Sequence, residues 1–468
     1  MSHSVKTVES VILDAARKAR QEADAEPEPE LVKPAEWPIV CTVGPGLEGA
    51  IACESKVGYV NGAKGWLIYR GYDVFDLCAH STYEEVCYLL LHGKLPSASE
   101  YAEFRETLAE YRHLPSTLRL LLGFPVERMS TMAALRLGVN MMRQELTHMD
   151  DKAWHPAGMS VIGSDEDSIP METAPRGDKH AIYEFKRRRR LRAPPAKNGD
   201  EGSGLGACYH LIAGLSTVAA AIARVHQGRL PIEPDPELGH AANFLYMMTG
   251  RRPSPVEEKV MDVALILHAD HGMNASTFAA MVVASTLSDF YFSVGSGIAA
   301  LNGPLHGGAN EQVVQTLEEV RRAGDVGEWV NKAVAAKRKI PGFGHRVYKA
   351  YDPRARVLGP LAELLAGEGG ETRELFDVAR RLEERAVERL GQSKQIFPNV
   401  DFYSGLVYRA LGIPTEMFTP IFAVSRVAGW TARILEYLEN NRIFRPRARY
   451  VGEFGKEYVP LAGRGGER

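Results

Sequence analysis

Cysteine is scarce in this chain: Cys41, Cys53, Cys78, Cys87 and Cys208 are the only five in 468 residues, an odd number with no C-x-x-C pair. That pattern indicates neither a disulfide framework nor a thiolate zinc site, and it fits a reducing compartment. No metal site is expected. Apolar runs are short as well, and none approaches the ~20 residues of a membrane span. An excess of one charge is missing too: 56 Lys and Arg against 59 Asp and Glu leave a net charge of -3. Nothing therefore draws the whole protein to nucleic acid or to a membrane surface, and an anionic ligand must be met by cations gathered locally. The early stretch "EADAEPEPE" is too acidic for an organellar transit peptide. A cytoplasmic protein is expected.

What is present is mostly helical punctuation. Residues 1–38 read as a flexible N-terminal arm, with a short amphipathic helix at "VESVILDAARKARQEA" before an acidic, Pro-rich stretch. Strand material is confined to residues 39–72, where "PIVCTV", "KVGYV" and "GWLIYRGY" predict a small hairpin sheet. From "TYEEVCYLLLHG" onward, apolar residues recur at helical spacing between stops such as Gly93, Gly228, Gly250, Pro360 and Gly391. The fold class is mainly α. "LGACYHLIAGLSTVAAAIARVHQG" and "ASTFAAMVVASTLSDFYFSVGSGIAAL" are apolar on nearly every face and are expected to be wrapped by other helices. The polar stretch 151–203, with "KRRRRLR" at 186–192, breaks the rhythm. It reads either as a solvated insertion or as an electrostatic handle for an anionic partner. No aromatics interleave with its arginines, so nucleic-acid binding is not expected.

Glycine sits beside polar residues in "LHADHGMNAST", "NGPLHGGANE", "PGFGHRVYKAYDPRA" and "FPNVDFYSG", in a way that core packing does not require. In the second, Pro304 and the glycines set His306 at a helix N-terminus, where the macrodipole disfavours imidazolium. It is either a capping histidine or a neutral donor to a carbonyl oxygen. In the third, Gly342 and Gly344 let the backbone approach a ligand, with His345 beside it. Asp401 falls at the start of a helix and is either a carboxylate stabilised by the helix dipole or a general base. Arg354, Arg426 and Arg445 follow small or Pro-containing contexts and are candidate clamps for carboxylates. His240 and His268 lie on apolar helical stretches and read as packed structural histidines.

Taken together, the order and spacing of "GFGHRVYKAYDPR" and the other three stretches resemble the active-site segments of the citrate synthase family, from about 45 to 150 and from 204 to 452. The resemblance implies a two-domain helical fold. Its large domain is expected at 39–306 and 409–468, and its small domain at 307–408. It implies Claisen-type condensation of acetyl-CoA with oxaloacetate, then thioester hydrolysis to citrate and CoA, with no cofactor beyond these substrates. Asp401 would take the methyl proton, His306 would hold the thioester oxygen and His345 would serve the ketone oxygen. His271, Arg354 and Arg426 would bind oxaloacetate, with Asn274 and Ser276 alongside. Arg445 would come from the other subunit of a homodimer. Pro341, Gly342, Phe343 and Gly344 would meet the adenine, and Lys349 the CoA phosphates. Gly272 departs from the acidic residue that many members carry after the substrate histidine. The competing expectations are 2-methylcitrate synthesis from propionyl-CoA, and a non-catalytic member acting through the basic insertion.

Overall fold

The expected N-terminal arm is, over its helical part, a docked element. In the computed structural model, which describes residues 4–22, 34, 36–146, 204–461 and 464, α1 (Val5–Glu22) buries the stripe Val8, Ile12, Ala15 and Ala16. Helical spacing puts these four on one face, and removing them from water holds the helix down. The 151–203 insertion, and with it both readings of its arginines, lies outside the described residues. Behind α1 comes an antiparallel sheet of order β1-β2-β3, formed by β1 (Gly58–Asn61), β2 (Trp66–Tyr69) and β3 (Tyr72–Asp73). Its register pairs Gly58 with Tyr69 and Ile68 with Asp73. "PIVCTV" does not join it: the stretch forms no regular secondary structure, and Val40 is 99% exposed. Its β propensity finds no buried face on which to pack.

Sixteen further α-helices follow among the described residues. They are α2 (Val74–His80), α3 (Tyr83–His92), α4 (Ala98–Tyr111), α5 (Pro115–Leu121), α6 (Thr131–Leu146), α7 (Leu205–His226), α8 (His240–Thr249), α9 (Pro255–His268), α10 (Ala275–Ala284) and α11 (Phe290–Leu301). Beyond them run α12 (Ala309–Ala323), α13 (Val326–Ala335), α14 (Pro353–Ala366), α15 (Glu371–Lys394), α16 (Val400–Ala410) and α17 (Phe418–Leu438). Gly93 and Gly250 end α3 and α8 in the left-handed conformation, as expected of C-terminal glycines. Pro360 and Gly391 do not act as stops: α14 and α15 run through them. Around Pro360, Val357, Leu358, Leu361 and Ala362 are all buried, and that packing outweighs a proline cost of about 3 kcal/mol.

The centre of the fold is built on α7 and α17. By length and composition α7 could cross a membrane, contrary to the reading of the sequence, but α4, α6, α8, α11 and α17 surround it and most of it is buried. α17 is buried from Phe418 to Ile434 and crosses the end of α9 so closely that a Cβ on Gly429 would lie 2.3 Å from the Ala269 carbonyl oxygen. This contact brings Arg426 beside the end of α9. A second group of helices packs within itself, with α12 against α13, α15 and α16, and α14 against α15 and α16. α1 touches α14 on one side and α2 and α9 on the other.

Candidate active site

Three helices begin at the site, and each is fixed by a side chain that caps it. Asn274, Asp352 and Asn399 cap α10, α14 and α16 by accepting backbone N–H bonds from Thr277, Arg354 and Asp401. Ser276, Arg354 and Asp401 therefore sit in first turns, where unpaired N–H groups and the helix dipoles favour negative charge. Backbone bonds join the two loops between these helices. Gly344 N–H donates to the Phe397 carbonyl at 2.8 Å, Asn399 N–H to that of Gly342 at 2.8 Å, and Asn399 Nδ2 to that of Gly344 at 2.9 Å. Gly342 allows the approach: its φ is +80°, and a Cβ there would meet Phe402 Cδ2 at 2.9 Å. From the other side, Lys349 N–H donates to Gly62 O at 3.0 Å, so the turn between β1 and β2 backs the same loop.

His345 is locked by its own loop. Its Nδ1 accepts from Val347 N–H at 3.0 Å and Tyr348 N–H at 3.1 Å, so in the neutral ring the proton sits on Nε2, which is left as a donor. Burial, with Arg354 reinforcing it, pushes His345 down to about 4. His306 is the mirror case: its Nε2 accepts from Ser276 N–H at 3.2 Å and lies 2.9 Å from Ser276 Oγ, which leaves Nδ1–H free to donate. Burial and the charge of Arg426 push it down to about 4 as well. Both imidazoles are thus neutral donors at neutral pH. The expected result in ¹⁵N-resolved NMR is Nε2–H for His345 and Nδ1–H for His306, with neither titrating between pH 6 and 8; a titration midpoint near the ordinary value of about 6.5 would contradict this.

His271 is buried beside His345, their rings 5.2 Å apart, and its Nε2 meets the Tyr348 hydroxyl at 3.1 Å. Asp401 is buried with Oδ1 unpartnered, and burial pushes its carboxyl up to about 7 against the pull of Arg354 and Arg426. Arg426 donates from Nε to the His268 carbonyl oxygen, stacks over Phe422 at 4.7 Å, and keeps Nη2 buried without a partner. Burial lowers it to about 10, so it stays charged. A buried guanidinium with an unmet N–H is costly unless an anion completes it. Arg354 is differently placed: its Nε and Nη2 engage both oxygens of Asp352, at 3.0 and 2.8 Å. One wall therefore gathers His271, His345, Tyr348 and Arg354. A second group joins His306, Ser276 and Asn274 by hydrogen bonds, and the charge of Arg426 acts on His306 and Asp401 alike.

Not every expected residue is brought in. Arg445 is exposed on the segment after α17, and Lys349 is exposed at the rim with Nζ 3.4 Å from the Arg346 carbonyl. Pro341 and Gly344 line the turn, while Phe343 spends its ring on Phe402 at 4.7 Å. His240 and His268 are fully buried among aromatic rings. Sequence reading missed Tyr348, Asp352, Asp270 and Arg433. Asp352 carried a signal, since an Asp before Pro-Arg is a helix cap. Gly272, the departure from the expected acidic residue, has φ +59° and donates its N–H to Asp270 Oδ2 at 3.1 Å.

These residues supply one buried carboxyl raised to about 7, two neutral imidazole donors and two buried guanidinium groups. The family model described as citrate synthase, C-terminal domain, matches residues 46–447. The chain belongs to the citrate synthase family. It is 40% identical to the citrate synthase of Acidithiobacillus ferridurans over 90% of this chain and 98% of that one. It is 35% identical to the 2-methylcitrate synthase of Shewanella oneidensis over 90% and 98%. Among solved structures, the citrate synthase of Thermoplasma acidophilum, in ternary complex with carboxymethyl coenzyme A and oxaloacetate, aligns with TM-score 0.76 and 32% identity, covering 91% of this chain and all of that one. The citrate synthase family fold, mainly α with one small sheet, is the fold found here.

Proposed function

We propose that this protein joins the methyl carbon of acetyl-CoA to the ketone carbon of oxaloacetate and hydrolyses the resulting thioester, releasing citrate and CoA. The observation that carries this reading is Asp401: a buried carboxyl with an unpartnered oxygen, raised to about 7, in the field of Arg354 and Arg426. Asp401 removes a methyl proton while His306 Nδ1–H holds the thioester oxygen as negative charge develops on it. The enol carbon then attacks the ketone, and His345 Nε2–H supplies hydrogen bond or proton to the ketone oxygen. Water cleaves the thioester, and CoA leaves as the thiol. His271, Arg426 and Arg354 hold the dianion, Arg426 through its unmet Nη2, and Ser276 and Asn274 fix His306. Pro341 to Gly344 and Lys349 take the CoA end.

Further parts of the reading concern assembly. Arg445 is exposed and, among the described residues, has no hydrogen bond or ion pair, which supports its delivery to the neighbour's site in a homodimer. Residues 307–408 act as a small domain that closes on the rest once oxaloacetate binds, excluding water from the enol. The protein works in the cytoplasm, without a metal or a cofactor other than its substrates. The test is steady-state release of CoA thiol with oxaloacetate. Acetyl-CoA is expected to exceed propionyl-CoA in kcat/KM by about 10–200-fold, the worth of one methylene. The reverse order would make the protein a 2-methylcitrate synthase, and no release with either would leave a non-catalytic family member.

A further inference from the structure

Glu383 lies on α15, away from every group assigned above to a substrate. Its carboxylate nevertheless receives a phenol on each oxygen: Tyr351 donates to Oε1 and Tyr403 to Oε2. Tyr351 immediately precedes Asp352, and Tyr403 follows Asp401 by two residues on α16. Asp352 already ties the two segments directly, accepting from Val400 N–H at 3.2 Å while holding Arg354. Glu383 thus joins the loop of His345 and Arg354 to the helix of Asp401 a second time, from a third element. Two fixed points define an orientation where one leaves a pivot. Burial pushes both phenols upward, and Tyr403 well up, so their protons stay in place as donors at neutral pH. The Arg356 guanidinium lies 4.4 Å over the Tyr351 ring and pairs with Glu22 of α1, so the ring is also packed under a paired cation.

We infer that Glu383 is a positioning residue for proton abstraction, holding the Asp401 carboxylate in register with His345 through Tyr351 and Tyr403. The inference rests on the reaction proposed above. It matters because a base must sit near hydrogen-bond distance of the methyl carbon's proton, and a misplacement of about 1 Å costs on the order of 10²-fold in rate. Glutamine at this position can accept from only one phenol and presents an amide N–H₂ to the other.

The test compares the parent protein with Glu383→Gln, Glu383→Leu and Tyr403→Phe, the last removing one donor at almost constant volume. In CoA-release assays kcat is expected to fall roughly tenfold for Gln and for Phe and about 10²-fold for Leu, while oxaloacetate Kd changes less than about twofold. With methyl-deuterated acetyl-CoA the isotope effect on kcat should rise in all three, because proton abstraction becomes the slow step. Should Glu383→Leu fail to fold, the other two variants decide. An unchanged kcat, or a lower kcat with an unchanged isotope effect and a matching loss of thermal stability, overturns the inference while the parent's activity upholds the reaction. No activity in the parent overturns both.

Discussion

Replacing Asp401 by asparagine is expected to lower kcat for citrate formation by on the order of 10²–10⁴-fold while oxaloacetate still binds. The amide keeps the volume and one acceptor but cannot take a proton, and the two neighbouring buried carboxylates are already paired. Asp352 is held by Arg354, and Asp270 by Arg433. Stopped assays of CoA thiol give the rate, and calorimetric titration with oxaloacetate gives the binding. A variant within tenfold of the parent would remove Asp401 as the base.

The same residue sets a pH dependence whose sign can be worked out. The base acts ionised, and burial raises it to about 7, so kcat/KM for acetyl-CoA should climb about tenfold per pH unit below 7 and level off above it. His306 and His345, pushed down to about 4, are already neutral across that range and add no limb of their own. Stability runs the other way. A carboxyl raised in the folded state favours folding most where it is still protonated, below its unfolded value, and that advantage is lost as pH rises through about 7. Asp401→Asn should therefore be more stable than the parent at pH 8, by up to a few kcal/mol.

Much of this site was legible in the residues themselves. His306, His345 and Asp401 stand in short stretches where glycine and a helix start coincide, and these are local facts. Arg426 was visible as an arginine in a small-residue context, a candidate clamp for a carboxylate; its burial and its unmet Nη2 appear only in the fold. The residues that hold the site were not visible. Tyr348 acts on a histidine 77 residues away, and Glu383 on tyrosines 32 and 20 residues away. No spacing rule relates such positions, because the chain folds back between them. For the same reason α1 read as an arm: its apolar stripe was evident, but the faces of α14, α2 and α9 that cover it lie far along the chain. Pro360 and Gly391 misled in the opposite way, as local stop signals overridden by burial on both sides of α14 and by the length of α15.

The largest stability effect is expected at Asp270 and Arg433, behind His271. Arg433 grips both carboxylate oxygens, at 2.7 and 2.8 Å, and adds bonds to Ser55 Oγ at 3.1 Å and the Gly58 carbonyl at 3.2 Å. Both side chains are buried, so Arg433→Met leaves a buried carboxylate without its ion-pair partner and should cost about 3–5 kcal/mol. Adding Asp270→Asn should recover much of that loss, since an amide needs no counter-charge, and urea unfolding of the two single variants and the double one measures the coupling. If the double variant is no more stable than Arg433→Met alone, the pair is not the source of the loss. Acid distinguishes the same cases. Burial pushes Asp270 up, but Arg433 outweighs it and holds the carboxyl below its ordinary value. The pair's contribution is therefore present above about pH 4 and fades as pH falls through the lowered folded value. Without Arg433 burial is opposed only by Arg426 and the Gly272 N–H, so the carboxyl should rise, and the deficit of Arg433→Met should narrow on acidification instead of staying constant. Because Asp270 also accepts the Gly272 N–H, the same variant should loosen the turn that carries His271 and weaken oxaloacetate binding before the fold is lost.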